Sequence, residues 1–284
     1  MTKFRWAWLL CCILLVPSST LESQEQKPSF YQQIVRGVFR LEHQDPTTGQ
    51  VDTATAFFVR ATEGLYVVTA GHNARSGFDW QGQVVMRNKK TGATKVWKLN
   101  LPHSRWVLHP DIGNARRHPV DVAAMKIPMQ ARSHEEGEME TAAFAYCAES
   151  CPQGEYNQLE SDPEPPLQVI VFGFPGHLGL QLREPRPMGR QGMVALTAGE
   201  EFVLVDGRYA EEKAFLIDIK MFPGNSGSPV ISLNALRGKV NLAGLVISTR
   251  PFDYAVAEPV SPIKQVVDLA RSGNLDFQPW RLPE

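Results

Sequence analysis

Three polar residues that lie far apart in the chain, His72, Asp121 and Ser226, could together perform acyl transfer. A serine hydroxyl attacks a carbonyl efficiently only when a base takes its proton and backbone donors receive the oxyanion that forms. Histidine, with an unperturbed pKa of roughly 6.5, can accept that proton at neutral pH and return it to a leaving group. A buried carboxylate beside the imidazole would hold its tautomer and stabilise the imidazolium. The combination therefore indicates nucleophilic catalysis by serine.

Ser226 lies in the stretch Phe222-Pro223-Gly224-Asn225-Ser226-Gly227-Ser228-Pro229, whose composition predicts a turn. Gly224 and Gly227 tolerate positive φ and leave room for a substrate carbonyl close to the backbone. The amides of Gly224 and Ser226 could then point into one small concavity that binds an anion. An ordinary turn between two strands is the alternative interpretation of this stretch when it is taken alone.

His72 and Asp121 each stand at the end of a predicted strand. His72 follows the apolar run Leu65–Ala70, and Asp121 precedes the apolar run Val122–Ile127. Taken singly, a histidine after a strand is more often structural, and an acid that opens a strand is commonly a turn residue. The catalytic interpretation depends on finding all three residues in one chain, in the order His, Asp, Ser.

Short apolar runs separated by Gly, Pro, Asn and Asp predict many short strands. The predicted strands are Ile34–Leu41, Thr55–Arg60, Leu65–Ala70, Gln83–Arg87, Lys95–Leu99, Trp106–Leu108, Val122–Ile127, Leu167–Phe174, Gly192–Thr197, Glu201–Val205, Ala214–Ile219, Ser228–Ser232, Leu242–Ser248 and Tyr254–Ala257. Ser261 as N-cap and Pro262 at the first helical position, followed by apolar residues at helical spacing, predict a helix. The pattern predicts an all-β fold of two six-stranded antiparallel β-barrels with the active site between them and a C-terminal helix.

A change of composition separates the two predicted barrels. From Met129 to Pro166 the chain is rich in Glu, Ser and Pro, which predicts a connection with one strand near Ala142–Cys147. The predicted organisation is a signal peptide at 1–18, an N-terminal extension at 19–33, a first barrel at 34–140, a linker at 141–166, a second barrel with its helix at 167–272, and a tail at 273–284.

The N-terminus has the pattern of a secretory signal peptide. A basic segment, Thr2–Arg5, precedes the apolar run Trp6–Val16 and the small residues of Pro17-Ser18-Ser19. The apolar run is shorter than the roughly 20 residues that a spanning helix needs. We therefore expect cleavage after Ser18 and an exported protein, periplasmic or secreted. A retained membrane anchor and a lipoprotein modified at Cys11-Cys12 are the alternatives.

Removal of the signal would leave Cys147 and Cys151 as the last two cysteines. In an exported protein they could form a disulfide that stabilises the fold by about 2 kcal/mol, with free thiols as the alternative. One Cys pair with no nearby His pair cannot supply four zinc ligands, so we expect neither a metal nor a cofactor. A net charge of −1 and the absence of a basic cluster argue against a nucleic-acid partner.

The order and context of the three candidates resemble those of trypsin-like serine peptidases of the chymotrypsin fold, over about residues 34 to 270. The motifs that carry the resemblance are Thr55-Ala56-Phe57-Phe58-Val59, Val68-Thr69-Ala70-Gly71-His72, Asp121-Val122-Ala123, Val169-Ile170-Val171-Phe172-Gly173-Phe174-Pro175, Pro223-Gly224-Asn225-Ser226-Gly227-Ser228-Pro229 and Gly244-Leu245-Val246. The bacterial-type domains of the Deg/HtrA group are the most similar in these motifs. Only 24 residues follow Val260, so we expect no PDZ domain of the kind such proteins often carry.

The resemblance assigns a role to each candidate. It implies that His72 is the general base, Asp121 its orienting carboxylate and Ser226 the nucleophile, with the amides of Gly224 and Ser226 as the oxyanion hole. The substrate would be a protein or peptide, and a membrane would be a partner only if the N-terminal segment is retained.

Two features depart from the family pattern. Asn225 stands where many trypsin-like enzymes carry an acid that pairs with a new N-terminus, so we interpret Ile34-Val35 as the start of the first strand rather than an activation site. The resemblance places the specificity pocket at Lys220, Met221, Ile247, Ser248 and Thr249. An inward lysine there would favour Glu or Asp at the cleaved residue, and an outward one would leave a preference for small or medium apolar residues.

Two other functions remain open. A trypsin-like fold that is catalytically weak or inactive could serve as a binding module, although such proteins usually lose a triad member. An esterase of the nucleophile-elbow type would carry its serine before the acid and the histidine, whereas Ser226 comes last. Five of the six remaining histidines, His103, His109, His118, His134 and His177, are predicted to have surface or turn roles.

Overall fold

The computed structural model describes residues 30–88, 90–112, 120–128, 131–133, 137–140, 143–145, 163, 165–176, 185–197, 202–203, 209–210, 214–234, 239–250, 253–273 and 279–281. Strands in two large sheets make up most of these residues, and a short helix lies near the C-terminus. The predicted all-β fold class with a C-terminal helix is confirmed. The predicted signal peptide and the cysteines Cys147 and Cys151 lie outside the described residues.

The first sheet contains eleven strands, more than the six predicted. Its strands are β1 (Val38–Gln44), β2 (Val51–Ala61), β3 (Gly64–Ala70), β4 (Trp80–Asn88), β5 (Thr94–Leu101), β6 (Val107–Leu108), β7 (Val122–Ile127), β8 (Ala131–Ser133), β9 (Gly137–Glu140), β10 (Phe144–Ala145) and, near the C-terminus, β19 (Trp280–Arg281). The main path runs β19-β5-β4-β1-β2-β3-β7-β6, while β10 pairs with β2 and β9 joins β4 to β8. All pairings except that of β10 with β2 are antiparallel.

The second sheet is a closed barrel of six strands in the order β11-β12-β15-β18-β17-β16. They are β11 (Gln168–Gly173), β12 (Met188–Leu196), β15 (Phe215–Asp218), β16 (Pro229–Asn234), β17 (Lys239–Arg250) and β18 (Tyr254–Pro259). The short strands β13 (Phe202–Val203) and β14 (Tyr209–Ala210) form a separate hairpin.

Strand β3 explains why the sequence contains continuous apolar runs rather than a simple alternation. Leu65 and Val67 pack among side chains inside the first sheet, whereas Tyr66 and Val68 join a core that also includes Ile247 of β17. We call this second cluster the inter-sheet core, because it holds residues of both sheets. A strand that is covered on both faces has no reason to carry polar residues on either.

The described residues contain the α-helices α1 (Phe30–Gly37), α2 (Gly71–Arg75) and α3 (Val260–Leu269). Helix α3 packs Val260 and Ile263 into the inter-sheet core. It begins one residue before Ser261, with Pro259 in the N-cap position, so the prediction that Ser261 is the N-cap was wrong. Within the described residues no helix is long and apolar enough to cross a membrane.

The predicted strand Ile34–Leu41 was wrong in its first half. Residues up to Gly37 belong to α1, and the strand begins at Val38. The helix buries Ile34 in the inter-sheet core, where it is 2% exposed. The spacing of Phe30, Ile34 and Val38 fits a helical face as well as the β-branched composition fits a strand, so the local pattern was ambiguous.

The region predicted as a connection contains more structure than the sequence indicated. A strand was predicted near Ala142–Cys147, and β10 lies there. The hairpin of β8 and β9 was not predicted, because its sequence is polar and rich in glutamate.

Candidate active site

The register between β3 and β7 brings His72 and Asp121 together. These strands are antiparallel neighbours, and Ala70 pairs with Val122 at the end where both candidates lie. His72 is in α2, directly after β3, and Asp121 directly precedes β7. The Gly71 amide donates to the Asp121 carbonyl at 3.0 Å, which extends the pairing by one residue.

The side chains of the three candidates form a continuous hydrogen-bonded row. The Asp121 carboxylate contacts His72 twice, through Oδ2 to Nδ1 at 2.6 Å and through Oδ1 to the backbone amide at 2.7 Å. Nε2 of His72 lies 2.7 Å from Oγ of Ser226. The imidazole side chain is 49% exposed and the aspartate 19%, so His72 is accessible from solvent while its carboxylate partner is largely covered.

Ser226 lies in the loop between β15 and β16, where two glycines have positive φ. Gly224 has φ of 95° and Gly227 has φ of 87°. A Cβ on Gly224 would lie 2.5 Å from the Phe174 carbonyl oxygen, and one on Gly227 would meet the Thr55 carbonyl. Both positions therefore require glycine for its backbone conformation and for space.

Several amides of this loop donate to carbonyl oxygens of the protein, among them that of Ser228, which donates to Asn225 at 3.0 Å. Asn225 donates to Phe222 at 3.1 Å, and Gly227 donates to Val246 at 2.7 Å. The amides of Gly224 and Ser226, which were predicted to receive an oxyanion, donate to no acceptor within the described part of the chain. Both amides are therefore donors that a ligand could use.

Thr55 of β2 connects the first sheet to the loop of Ser226, a contact that the sequence did not reveal. Its hydroxyl donates to the Gly224 carbonyl at 2.8 Å and accepts from the Phe174 amide at 3.0 Å. Its own amide donates to the Ser226 carbonyl at 2.9 Å. Thr55 is fully buried, and its bond with the Phe174 amide is shielded from water.

Asn225, which replaces the acid of many related enzymes, is buried at 2% exposure. A Cβ on Gly173 would lie within contact of its Oδ1 and would also meet the Ser228 hydroxyl. The loop therefore packs its Asn225 side chain directly against the end of β11.

The predicted pocket residues differ in exposure. Lys220 is at the surface, with Nζ 3.8 Å from Oδ1 of Asp253. Met221 is half-buried against the core of the barrel, and Ile247 is buried, with its carbonyl 3.4 Å from the Ser226 hydroxyl. Ser248 is half-buried and Thr249 is exposed. Their role as a specificity pocket stays a prediction.

Arg190 of β12 is a further residue beside this loop that sequence reasoning did not single out. Its guanidinium carbon lies 4.5 Å from the centre of the Phe222 ring, a cation–π contact. Phe222 is four residues before Ser226, so the contact places a second cation near the loop, in addition to Lys220.

Two of the other histidines make structural contacts. Nε2 of His109 lies 2.6 Å from Oε1 of Gln265 in α3. The amide of His103 donates to Asp79 at 2.8 Å, and this bond holds the pKa of the Asp79 carboxyl below its ordinary value. His118, His134 and His177 lie outside the described residues. In the described part of the chain no three His, Cys, Asp or Glu side chains come together as metal ligands would.

No protein-family model and no curated protein matches the sequence. Solved structures do: a thermostable serine protease from an extremophilic microorganism is 14% identical with a TM-score of 0.52, over 84% of this chain and 99% of that chain. The protease Anisep from Arthrobacter nicotinovorans is 12% identical with a TM-score of 0.50, over 84% and 96%. The HtrA-type protease AlgW with tripeptide is 15% identical with a TM-score of 0.50, over 86% and 64%. These likenesses show that the chain has the trypsin-like serine peptidase fold.

Proposed function

We propose that this chain is a serine endopeptidase that cleaves peptide bonds through an acyl-enzyme. The observation that carries the proposal is the row of hydrogen-bonding contacts from Asp121 through His72 to Ser226, with distances of 2.6 and 2.7 Å. A fold shared with serine proteases raises the expectation of hydrolysis, but the three side chains carry the chemistry.

The mechanism follows from the positions of the atoms. Oγ of Ser226 attacks the substrate carbonyl as Nε2 of His72 accepts its proton. Asp121 keeps the imidazole in the tautomer with hydrogen on Nδ1, and stabilises the imidazolium. His72 then donates the proton to the leaving amine. A water molecule, deprotonated by the same imidazole, attacks the ester and releases the enzyme.

The amides of Gly224 and Ser226 would stabilise the tetrahedral oxyanion. They are adjacent to the attacking hydroxyl, and they have no other acceptor within the described residues. Loss of one such donor in a serine protease costs about 100- to 1,000-fold in kcat. The positive φ of Gly224 is what turns its amide away from the usual strand direction.

The substrate that fits this chemistry is a protein or peptide. Among the solved proteases that share the fold, the HtrA-type protease AlgW was solved with a tripeptide, which supports a peptide substrate for this chain. Export of the enzyme is part of the proposal and rests on the signal-like pattern of residues 1–18.

The test is a digest of casein and of quenched fluorescent peptides by wild-type protein and Ser226→Ala. We expect the wild type to hydrolyse them and Ser226→Ala to lose roughly three or more orders of magnitude in kcat/KM, because residual catalysis comes only from binding and the oxyanion hole. His72→Ala should fall similarly and Asp121→Asn severely, since the amide favours the wrong tautomer.

The matched control is Ser261→Ala, which removes an exposed hydroxyl at the start of α3, outside both the hydrogen-bonded row and the predicted pocket. All variants should unfold near the wild-type midpoint in urea. Undiminished turnover by purified Ser226→Ala would exclude the mechanism. A folded wild type that binds peptides and cleaves none of them would instead favour a binding module.

A further inference from the structure

Glu258 has an ionisable side chain that lies in the interior of the protein. It lies near the end of β18, after the apolar residues Ala255, Val256 and Ala257, and it is 0% exposed. A carboxyl group removed from water is costly unless hydrogen bonds replace its hydration. A buried glutamate at this place in a strand therefore calls for a specific partner.

One partner is the backbone amide of Asp121. It donates to Oε1 of Glu258 at 3.0 Å, across 137 residues of sequence. The other three polar groups of Asp121 all face His72 and its neighbour. The carbonyl accepts from the Gly71 amide at 3.0 Å, and the two carboxylate oxygens accept from the amide and Nδ1 of His72. Within the described residues, the bond to Glu258 is the hydrogen bond that joins Asp121 to the barrel.

The main chain of Glu258 is itself fixed against the strand that holds the nucleophile. Glu258 pairs with Leu245 of β17. The next two residues of β17 contact the Ser226 loop, because Val246 accepts from the Gly227 amide at 2.7 Å and the Ile247 carbonyl lies 3.4 Å from Oγ of Ser226. A Cβ on Gly244 would meet the Glu258 carbonyl, so the two strands are closely packed at this point.

These contacts close a ring around the candidate triad. Ser226 is held by β17, β17 pairs with the strand that carries Glu258, Glu258 binds Asp121, and Asp121 orients His72, whose Nε2 returns to Ser226. The histidine and aspartate belong to the first sheet and the serine to the barrel. Their relative position consequently depends on contacts that cross between the sheets.

We propose that Glu258 is a positioning residue that sets the place of Asp121, and through it of His72, relative to Ser226. The role rests on the proposed function of the triad. This positioning role needs an acceptor oxygen at the end of a side chain as long as that of glutamate, and it does not need a negative charge. Displacement of a catalytic group by about 1 Å can cost on the order of 100-fold in rate.

Three substitutions of Glu258 test separately its acceptor oxygen, the length of its side chain and its negative charge. Glu258→Gln keeps the acceptor and the length but removes the charge. Glu258→Asp keeps the charge but is one methylene too short to reach the Asp121 amide. Glu258→Met fills the volume and offers no oxygen. Val194→Ala, in the core of the barrel and away from the triad, is the control for a loss of stability alone.

The experiment measures kcat and KM separately on one fluorescent peptide, together with the rate at which a fluorophosphonate labels Ser226 and the urea midpoint of each variant. We expect Glu258→Gln to keep kcat within about threefold of wild type. Glu258→Asp and Glu258→Met should lose about 10- to 100-fold in kcat and in labelling rate, with KM nearly unchanged. Val194→Ala should lose stability and keep kcat.

The outcomes are distinct. Wild-type kcat retained by a folded Glu258→Met or Glu258→Asp would overturn the inference while leaving the proposed function intact. A loss in Glu258→Gln equal to that in Glu258→Met would overturn it in favour of a role for the charge. If Glu258→Met does not fold, the comparison of Gln with Asp decides. A wild type that neither cleaves peptide nor reacts with fluorophosphonate refutes the proposed function itself, and the inference with it.

Discussion

Replacing Thr55 by Val should damage both the stability of the protein and its activity, although the two side chains have nearly the same shape. The substitution removes the hydroxyl that donates to the Gly224 carbonyl at 2.8 Å and accepts from the Phe174 amide at 3.0 Å. Phe174 is 8% exposed, so its amide would be left buried without an acceptor. Leaving such a donor unsatisfied costs about 1–3 kcal/mol.

Loss of the second hydrogen bond, from the Thr55 hydroxyl to the Gly224 carbonyl, should destabilise the protein less. Gly224 is half-buried, so its carbonyl can regain a water molecule, and the loss is then the net value of one hydrogen bond, about 0.5–1.5 kcal/mol. Together the two terms predict a decrease of about 1.5–4.5 kcal/mol in the free energy of unfolding. Because Gly224 also carries a predicted oxyanion donor, we expect kcat to fall by about 10- to 100-fold, less than the loss of a whole donor.

Urea unfolding with linear extrapolation gives the stability change, and hydrolysis of a fluorescent peptide gives kcat. Thr55→Ser keeps the hydroxyl and loses only a methyl group, so it should retain most of the activity. Thr94→Val is the matched control, because Thr94 is exposed on β5 and the change there should stay within about 0.5 kcal/mol. A Thr55→Val protein as stable as the Thr94→Val control, or as active as Thr55→Ser, would refute the reasoning.

Two further predictions concern activation and specificity. A protein cut to begin at Ile34 should be less stable and no more active than one that begins before Glu22. Ile34 is buried within α1, and Asn225 offers no charge to a new amino group. A large gain in kcat/KM for the shorter form would contradict this prediction. In a peptide library analysed by mass spectrometry, cleavage after small or medium apolar residues should dominate. Cleavage after Arg or Lys should be rare, because Lys220 and Arg190 place cations near the loop of Ser226. Dominant cleavage after Arg or Lys would show that the pocket is misassigned.

The strands could be predicted from the sequence because their apolar runs are set by local geometry. The run Val122–Ile127 matches β7 residue for residue, and Leu65–Ala70 matches β3 apart from one glycine. Helix α1 could not be predicted, because the residues around Ile34 fit both a helical and a strand pattern. Only its contacts in the inter-sheet core, which are distant in sequence, favour the helix.

The three polar candidates could be found because their residue types and their order are visible in the sequence. Their supporting residues could not. Thr55 is an ordinary threonine in a strand, and Glu258 is a glutamate that sequence patterns would place at a surface. Each acquires its role through a hydrogen bond to a residue more than 100 positions away, so no local pattern could reveal it.

Thr55 and Glu258 each make a hydrogen bond between the first sheet and the barrel, and each comes from a different one of the two. Thr55 belongs to the first sheet and holds the loop of Ser226, while Glu258 belongs to the barrel and holds Asp121. The first sheet carries His72 and Asp121 and the barrel carries Ser226, and each set accepts or donates a hydrogen bond to a side chain from the other sheet. The geometry of the candidate site and the docking of the two sheets are therefore one structural property. A shift of the two sheets at the inter-sheet core would change the distance from Nε2 of His72 to Oγ of Ser226, because His72 follows a strand of the first sheet and Ser226 lies in a loop of the barrel.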